Sequence, residues 1–271
     1  MTGRKALLLA APLLAGSLLF SPEVLRAADS APVSPRVAPA LDRTAGLVEG
    51  FLKELSDVEC LEEVSQLKFS KSDKVEYQEK SEFDYVVLFQ DTSGEPTLTE
   101  SRLAKQRPRR AAKASMLITN GFSILLLIFH PHYSSSFEFT DEGDESVDGR
   151  ECFKLHFRHI KGLRSTSVLM LRGREYPLDL EGTADIDESS GAVVRMTAAL
   201  EYSMEDVGLR SLRTEVQYAP VNFQGVSHPY WLPSSAVIDV ESPHQHWRNL
   251  HRFTSYHRFA TSVDEKRGAP K

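Results

Sequence analysis

The apolar positions of this chain follow two different periods, and the change between them lies near residue 60. Before the change, apolar residues recur at steps of four and three positions, at Leu47, Phe51, Leu55 and Val58. That spacing is typical of one face of a helix, and Thr44 supplies a side chain that suits an N-cap. We therefore predict an amphipathic helix from Thr44 to Val58. From about Val64 onward the period is two, which indicates β-strands with one buried face.

Two hairpins in the middle of the chain show the two-residue period most clearly. In the first, apolar residues alternate on both sides of the acidic segment 141–151, which we predict to connect two strands. In the second, the even positions from 178 to 202 are apolar or small, around a turn at 188–191. The odd positions of this hairpin, such as Asp185 and Asp187, are predicted to face solvent, because an antiparallel sheet commonly buries one face only.

The last predicted strand, from Trp247 to Ser262, has an aromatic face and an arginine-bearing face. The aromatic face consists of Trp247, Asn249, His251, Phe253, Ser255, His257 and Phe259. The opposite face carries Arg248, Arg252 and Arg258, which we interpret as a solvated surface. Aromatic rings with polar residues between them are expected to line the interior of a sheet or a cavity.

The most apolar run in the body of the chain is GFSILLLIFHPHY, at positions 121–133. From Met116 to Phe129 it offers fourteen residues, which is too few to cross a bilayer, and Pro131 ends it. The apolar residues 124–129 would surround a helix on every side, so packing by one face would leave the others uncovered. Core packing, the wall of a cavity and contact with a membrane surface are all consistent with this pattern.

The order of elements is a helix, several strands, this apolar insert and a strand meander, without alternating βαβ units. It predicts an α+β fold in which a strongly curved antiparallel sheet, an incomplete barrel, packs against the N-terminal helix and a mid-sheet helical insert. We assign this single domain to residues 44–263. Segment 29–43 is rich in Pro, Ser and Ala and is predicted to be a flexible lead-in, and the charged segment 264–271 a disordered tail.

The N terminus has the composition of a secretory signal peptide. A basic start at Arg4 precedes an apolar stretch that ends at Phe20, and small residues follow. We predict a signal peptide over residues 1–28, cleaved after Ala27 or Ala28, and hence a periplasmic or secreted protein with no stable membrane span after cleavage. An uncleaved N-terminal anchor is the alternative, although the apolar stretch is short for a span.

Charge narrows the choice of partners. The formal net charge of −6 becomes −8 when residues 1–28, which carry three cations and one anion, are removed. Nucleic acids are bound through clustered positive charge. We therefore predict no nucleic-acid partner.

Catalytic and metal-binding patterns are weak. The sequence lacks GxSxG, HExxH, GxGxxG and P-loop motifs. The pairs His244/His246 and His130/His132 have the alternate spacing by which a strand presents two metal ligands on one face, but no spacing supplies a third ligand. We predict a protein that is not an enzyme and that holds no metal and no cofactor.

Cys60 and Cys152 are the two cysteines of the chain. An oxidising compartment favours a disulfide, which would close a long loop and stabilise the fold. Two buried, unpaired thiols are equally consistent with the sequence, because sequence separation does not reveal proximity.

Two segments carry a resemblance to a known family: EEVSQLKF at Glu62–Phe69, which opens the meander, and GTADIDESSGAVVRMTA at Gly182–Ala198, which forms a late hairpin. With the signal peptide and the mid-sheet insert, they resemble periplasmic lipoprotein carriers and sensors of the LolA, LolB and RseB type. The resemblance implies an incomplete antiparallel barrel, closed by helices, that holds acyl chains in a hydrophobic cavity.

The resemblance and the apolar insert together predict an exported carrier or binding protein for a lipid, an acyl chain or a lipidated protein. The residues predicted to line its cavity are Phe122, Leu125, Leu126, Phe129, Tyr133, Trp247 and Phe253. The alternative is an envelope module for protein interaction or sensing, with a filled core and no small-molecule ligand.

Overall fold

Period-two alternation produces twelve strands in the part of the chain that this computed structural model describes, residues 34–55, 58–92, 95–105, 122, 124–171 and 173–258. The helical elements are α1 (Val37–Leu55), a 3-10 helix (Ile124–Phe129), α2 (Pro131–Ser134) and a second 3-10 helix (Glu205–Val207). The strands are β1 (Val58–Phe69), β2 (Val75–Thr92), β3 (Glu95–Ala104), β4 (Phe137–Val147), β5 (Arg150–His159), β6 (Val168–Leu171), β7 (Arg174–Pro177), β8 (Leu180–Asp187), β9 (Val193–Leu200), β10 (Ser211–Val221), β11 (Tyr230–Glu241) and β12 (His246–Arg258). The predicted signal peptide and the predicted tail lie outside the described residues.

Ten of these strands form one curved antiparallel sheet in the order β3-β2-β1-β12-β11-β10-β9-β8-β5-β4. The first and last strands of this order are edges, so the sheet does not close into a barrel. Strands β6 and β7 pair only with each other and form a separate hairpin. The core joins the inner face of the large sheet to α1 and to the apolar insert. The predicted α+β class, an incomplete barrel with an N-terminal helix, is confirmed.

Helix α1 begins at Val37, so the predicted start at Thr44 is wrong, and residues 37–43 of the predicted flexible lead-in are helical. Pro39 is compatible with this helix because it lies in the first turn, where N–H groups have no intrahelical acceptor and a proline loses no hydrogen bond. Thr44 lies buried in the middle of the helix, where its hydroxyl donates to the Gly191 carbonyl oxygen at 2.9 Å. The buried face therefore follows Val37, Thr44, Val48 and Leu52, and Leu47 is exposed.

The acidic segment predicted to connect β4 and β5 is mostly strand. Strand β4 continues to Val147, and only Asp148 and Gly149 form the turn. Both turn residues have positive φ, +51° and +78°, which is the backbone that a two-residue hairpin turn requires. The Asp-Gly dipeptide is the sequence signal for this turn.

Strand β12 has the predicted inner face only as far as Phe253. Its pairing with β1 shifts by one residue between Glu59 and Leu61, and Ser255 has a φ of +55°. After this bulge the alternation reverses, as an extra residue in one strand requires. Tyr256 therefore points inward, its hydroxyl donating to the Pro233 carbonyl at 2.6 Å, and His257 is exposed. The predicted inner positions of Ser255 and His257 are wrong, and Phe259 lies outside the described residues.

Asp185 and Asp187 are buried, which corrects the prediction that they face solvent. Asp185 accepts a hydrogen bond from Arg195 at 2.7 Å. Asp187 accepts bonds from the Ser190 amide at 2.7 Å and the Ser190 hydroxyl at 2.8 Å. The polar partners of these carboxylates come from the neighbouring strand and from the following turn, so the odd face of the hairpin is covered by its own polar contacts.

Cys60 and Cys152 are both free and buried, so the disulfide considered above is not formed. Cys60 lies on β1 and Cys152 on β5, with five strands between them in the sheet. They belong to separate hydrophobic clusters. A disulfide requires Cα atoms within about 7 Å, which this placement does not provide.

Candidate ligand-binding pocket

The insert, residues 122 and 124–134, packs as core against the concave side of the sheet. Residues 124–129 form a 3-10 helix, in which about three residues complete a turn, and Leu125 to Phe129 are all buried. Of the three interpretations of this run, burial against the protein is therefore the one observed. Pro131 occupies the first turn of α2, and the His130 imidazole accepts the His132 amide at 3.1 Å. No helix among the described residues combines the length and apolar character needed to cross a membrane.

Two tyrosine hydroxyls attach the insert to the sheet. Tyr218 of β10 donates to the carbonyl oxygen of Phe122 at 2.8 Å, and Tyr133 donates to the carbonyl oxygen of Pro96 at 3.0 Å. Burial raises the pKa of the Tyr133 hydroxyl, so it stays protonated and remains a donor. These contacts hold the insert between β3 and β10.

A pocket of about 750 Å³ lies beside the insert. Its walls are formed by the insert, by β6, by the inner faces of β10 and β11, by residues of β3, β8 and β12, and by residues 207–209 at the second 3-10 helix. The apolar side chains of these walls include Leu98, Phe122, Ile124, Leu125, Leu127, Leu180, Leu209, Leu212, Ile238, Val240 and Trp247. Wall residues that are exposed, including Thr97, Val168, Met170 and Gly208, mark where the pocket meets solvent.

Four of the seven residues predicted to line a cavity lie at this pocket: Phe122, Leu125, Tyr133 and Trp247. Leu126 and Phe129 are buried in the core, since a 3-10 helix sends neighbouring side chains in different directions. Phe253 packs instead on Phe122 and Tyr85, with ring centroids 5.4 and 5.3 Å apart. The role of all seven in binding a ligand stays a prediction.

Sequence reasoning did not select most of the pocket wall. Leu212, Ile238 and Val240 come from strands β10 and β11, whose alternation is an ordinary core signal. Residues 168–171 (VLML) are a short apolar run, too short to distinguish a strand from a buried turn by period. Which of these positions border a space depends on how distant strands curve around the insert.

The described lining of the pocket contains no Asp, Glu, Lys, Arg or His. Its polar members are Thr97, Thr166, Ser167, Thr214, Ser242 and Gln245. Gln245 accepts a hydrogen bond from the Trp247 indole nitrogen at 3.0 Å, which orients the ring. An ionised group placed between these walls would lose its hydration without gaining a counter-charge. The chemistry of the lining therefore suits an uncharged, apolar group.

A buried ionic cluster lies next to the pocket, behind Phe122. Glu62 is fully buried and accepts hydrogen bonds from Arg102 and from His251 Nδ1, the latter at 2.7 Å. The ring of Phe122 packs on His251, with centroids 4.7 Å apart. Burial by itself raises the pKa of Glu62, but the bonds from His251 and Arg102 outweigh it and hold that pKa below its ordinary value. Glu62 therefore stays ionised.

The histidine pairs seen in the sequence do not form metal sites in the described structure. His246 stacks on Phe69, with centroids 4.8 Å apart, and its Nε2 lies 3.3 Å from Asp239, while His244 is exposed. Among the described residues, no three or more His, Cys, Asp or Glu side chains gather where they would hold a metal ion.

By sequence, the chain matches no family model and no curated protein. By structure, it is similar to a DUF1329 family protein from Desulfovibrio piger, at 12% identity and a TM-score of 0.42, over 84% of this chain and 95% of that chain. A putative outer membrane lipoprotein-sorting protein domain from Vibrio parahaemolyticus is similar at 11% identity and a TM-score of 0.42, over the same shares of both chains. A LolA superfamily protein from Nitrosomonas europaea is similar at 10% identity and a TM-score of 0.35, over 80% of this chain and 95% of that chain.

The resemblance to LolA-type proteins that the order of elements predicted is thus also found among solved structures. At these TM-scores the likeness carries no argument about ligand, partner or location. The pocket itself is what bears on function.

Proposed function

We propose that this chain is an exported carrier or binding protein that holds an acyl chain, or a similarly apolar part of a lipid or lipidated protein, in the pocket beside the insert. The observation that carries the proposal is a space of about 750 Å³ whose described lining is free of charged residues. That volume falls within the range of small-molecule sites, which are mostly apolar clefts of roughly 300–1,000 Å³. Each methylene of a ligand that is buried in the pocket would add about 0.8 kcal/mol to the favourable free energy of binding.

The contacts of the insert support a largely preformed site. Phe122 is held through its carbonyl by Tyr218, and Leu125 and Leu127 are buried while they face the pocket. A wall fixed in this way does not need to be ordered when a ligand binds, so less of the binding free energy is lost. No chemical step is proposed, and the ligand leaves unchanged.

Export to the periplasm or beyond is part of the proposal and rests on the composition of residues 1–28. An acyl chain needs a protein carrier where it must pass through water, because its transfer from a membrane exposes apolar surface. A donor or acceptor in the cell envelope would then be a natural partner.

The test is binding of a neutral fluorescent probe, N-phenylnaphthylamine, to the mature protein, together with native mass spectrometry for lipid that co-purifies. Leu212→Trp places an indole in the pocket, and Leu250→Trp places the same indole on the outer face of β12, where Leu250 is exposed. We expect wild type and Leu250→Trp to bind the probe, and Leu212→Trp to bind it at least about tenfold more weakly.

Failure of wild type to bind the probe, with no co-purifying lipid, would overturn the proposal. Equal binding by Leu212→Trp and wild type would do so as well, because the probe would then lie elsewhere. Either result favours the alternative of an envelope interaction or sensing module, whose partners are other proteins.

A further inference from the structure

Exposed apolar side chains lie on the β6–β7 hairpin, which borders the pocket, and on the segments next to it in the chain or through a backbone hydrogen bond. Leu163, Val168, Met170 and Tyr202 are exposed by 49%, 49%, 57% and 55%. Val168 and Met170 also belong to the pocket wall, so the apolar lining of the pocket includes side chains of β6 that are exposed to solvent. An apolar surface of this kind, joined to a pocket, marks a site of interaction.

Hydrogen bonds order the backbone segments that carry these side chains. The Ser165 hydroxyl oxygen lies 2.9 Å from the Ser167 carbonyl and 2.8 Å from the Leu178 carbonyl, so its one hydrogen is shared between two acceptors at the base of the hairpin. The amide of Glu201 donates to the Asp179 carbonyl at 2.9 Å, and this places the backbone next to Tyr202 beside the segment that follows β7. The Lys161 ammonium lies 5.4 Å from the centroid of the Tyr202 ring.

Residues 159–174, which include strand β6 and the turn of the hairpin, are positively charged in an otherwise acidic chain. Residues 159–174 contain Lys161, Arg164, Arg172 and Arg174 and no Asp or Glu, whereas the whole chain has a net charge of −6. Neither Lys161 nor Arg174 forms an ion pair with a described residue, and Arg164 reaches Glu95 only at 3.9 Å. The anions close to this segment are Glu175, which pairs with Met170 across the hairpin, Asp179, which is held by His159 at 2.8 Å, and Glu201, whose amide bonds to Asp179.

We propose that this mouth patch, formed by Leu163, Val168, Met170 and Tyr202 with Lys161, Arg164 and Arg174, docks on an anionic lipid surface. Apolar side chains enter the boundary between headgroups and acyl chains, aromatic rings favour that boundary, and cations are attracted to lipid phosphates. Docking there places the opening of the pocket against the bilayer, so an acyl chain passes between them without crossing water. This inference rests on the proposed function.

A second copy of the chain is a poorer occupant of the mouth patch. A symmetric dimer would place the same patch on both sides of the interface. Its lysine and arginines would then face their own equivalents, and like charges repel. A lipid surface with negative headgroups complements both the apolar and the cationic members.

The experiment is flotation of the mature protein with vesicles of phosphatidylcholine alone or mixed with phosphatidylglycerol, at low and high salt. The variant Val168→Glu/Met170→Glu tests the apolar contact, and Lys161→Gln/Arg174→Gln tests the charge. The matched control is Leu250→Glu, which changes an exposed leucine on the outer face of the sheet. Circular dichroism confirms that each variant is folded.

We expect wild type and Leu250→Glu to float with phosphatidylglycerol vesicles and less with phosphatidylcholine alone. The double glutamate variant should lose at least about tenfold in vesicle affinity, and the double glutamine variant should lose most of its dependence on salt. If both variants bind vesicles as wild type does, the inference is overturned.

Probe binding separates this inference from the proposed function. Wild type that binds N-phenylnaphthylamine but no vesicle overturns the docking surface and leaves the carrier intact. Wild type that binds vesicles through the mouth patch but no probe retains the docking surface and overturns the carrier. Self-association that Val168→Glu/Met170→Glu abolishes, seen by light scattering in the absence of lipid, would identify a protein interface instead and overturn the lipid assignment.

Discussion

Arg102 and Glu62 form a buried bidentate ion pair. Nη2 of Arg102 lies 2.9 Å from one carboxylate oxygen of Glu62, and Nε donates to the other. Arg102 reaches across β2, with its guanidinium 5.0 Å from the Tyr85 ring centroid. Burial opposes the charge of Arg102, but the bond to Glu62 prevails and its pKa is raised. Two charges that hold each other ionised in the interior are expected to be strongly coupled.

Removing one partner of this ion pair should destabilise the fold by more than the whole pair contributes to the free energy of unfolding. We expect Glu62→Gln or Arg102→Met alone to lower the free energy of unfolding by about 3 kcal/mol, because each removes the bidentate partner of a buried charge and leaves only a weaker set of contacts, with Glu100 for Arg102 and with His251 for Glu62. The double variant should lose clearly less than the sum of the single losses. Urea unfolding of all four proteins measures this coupling, and additive losses would refute it.

Stability should fall in acid partly through Asp187. Burial alone raises the pKa of Asp187, but hydrogen bonds from Ser189 and Ser190, with Arg150 beside them, outweigh it and lower that pKa to about 2. A folded-state pKa below the unfolded value of 3.8 means that the stabilisation is present above pH 4 and is lost as the pH falls toward 2. The shift corresponds to about 2 kcal/mol.

Asp187→Asn should remove this pH dependence. We expect the variant to be less stable than wild type at pH 7 and to approach it as the pH falls to 2 and below, where Asp187 becomes protonated and both proteins carry a neutral group at this position. Chemical denaturation over that pH range provides the measurement. A stability difference that stays constant with pH would show that Asp187 is not the titrating group.

Both cysteine thiols should be unreactive in the folded protein. Burial raises the pKa of Cys60 to about 12, although a contact with Tyr256 partly opposes it, and burial raises the pKa of Cys152 to about 11. The thiolate is the nucleophile, so Ellman's reagent at pH 8 should label neither residue until the protein unfolds. Non-reducing mass spectrometry should find two free thiols. Rapid labelling under native conditions would contradict the burial.

Gly182 should tolerate no side chain. A Cβ at this position would lie 1.9 Å from the carbonyl oxygen of Thr197 on the neighbouring strand β9. We expect Gly182→Ala to lower the melting temperature. The free energy of unfolding should fall by about 1–3 kcal/mol, because the new methyl group displaces the backbone of β9. Gly46→Ala is the matched control, since its Cβ would meet nothing within 4 Å in helix α1. That change should stabilise the protein by roughly 0.5–1 kcal/mol. Equal effects of the two substitutions would argue against the close strand approach.

The sequence predicted the fold well where a local rule was sufficient. The even positions around Ala184 and Met196 are buried as predicted, because side chains alternate along any strand. The predictions failed where a distant contact prevailed. Thr44 is not a helix cap but a buried helix residue, where its hydroxyl donates to the distant Gly191 carbonyl. Asp185 is buried because Arg195 of the neighbouring strand donates to its carboxylate.

The candidate site shows the same division. Composition predicted that the apolar insert is core, cavity wall or a membrane contact, and Phe122 and Leu125 lie at the pocket. The wall on the opposite side, which includes Leu212 and Ile238, depends on how β10 and β11 curve around the insert. No local pattern distinguishes a residue beside a space from one beside another side chain.

The sequence by itself determined the strand-rich class, the apolar insert and most inner positions of the strands, because hydrophobic period is a local property of the chain. The tertiary structure alone decided that Ser255 reverses the face of β12, that Cys60 and Cys152 lie too far apart to pair, and where the pocket opens. The physical reason is that these features depend on the register and curvature of strands that are distant in sequence, and a shift of one residue in register exchanges the two faces of a strand.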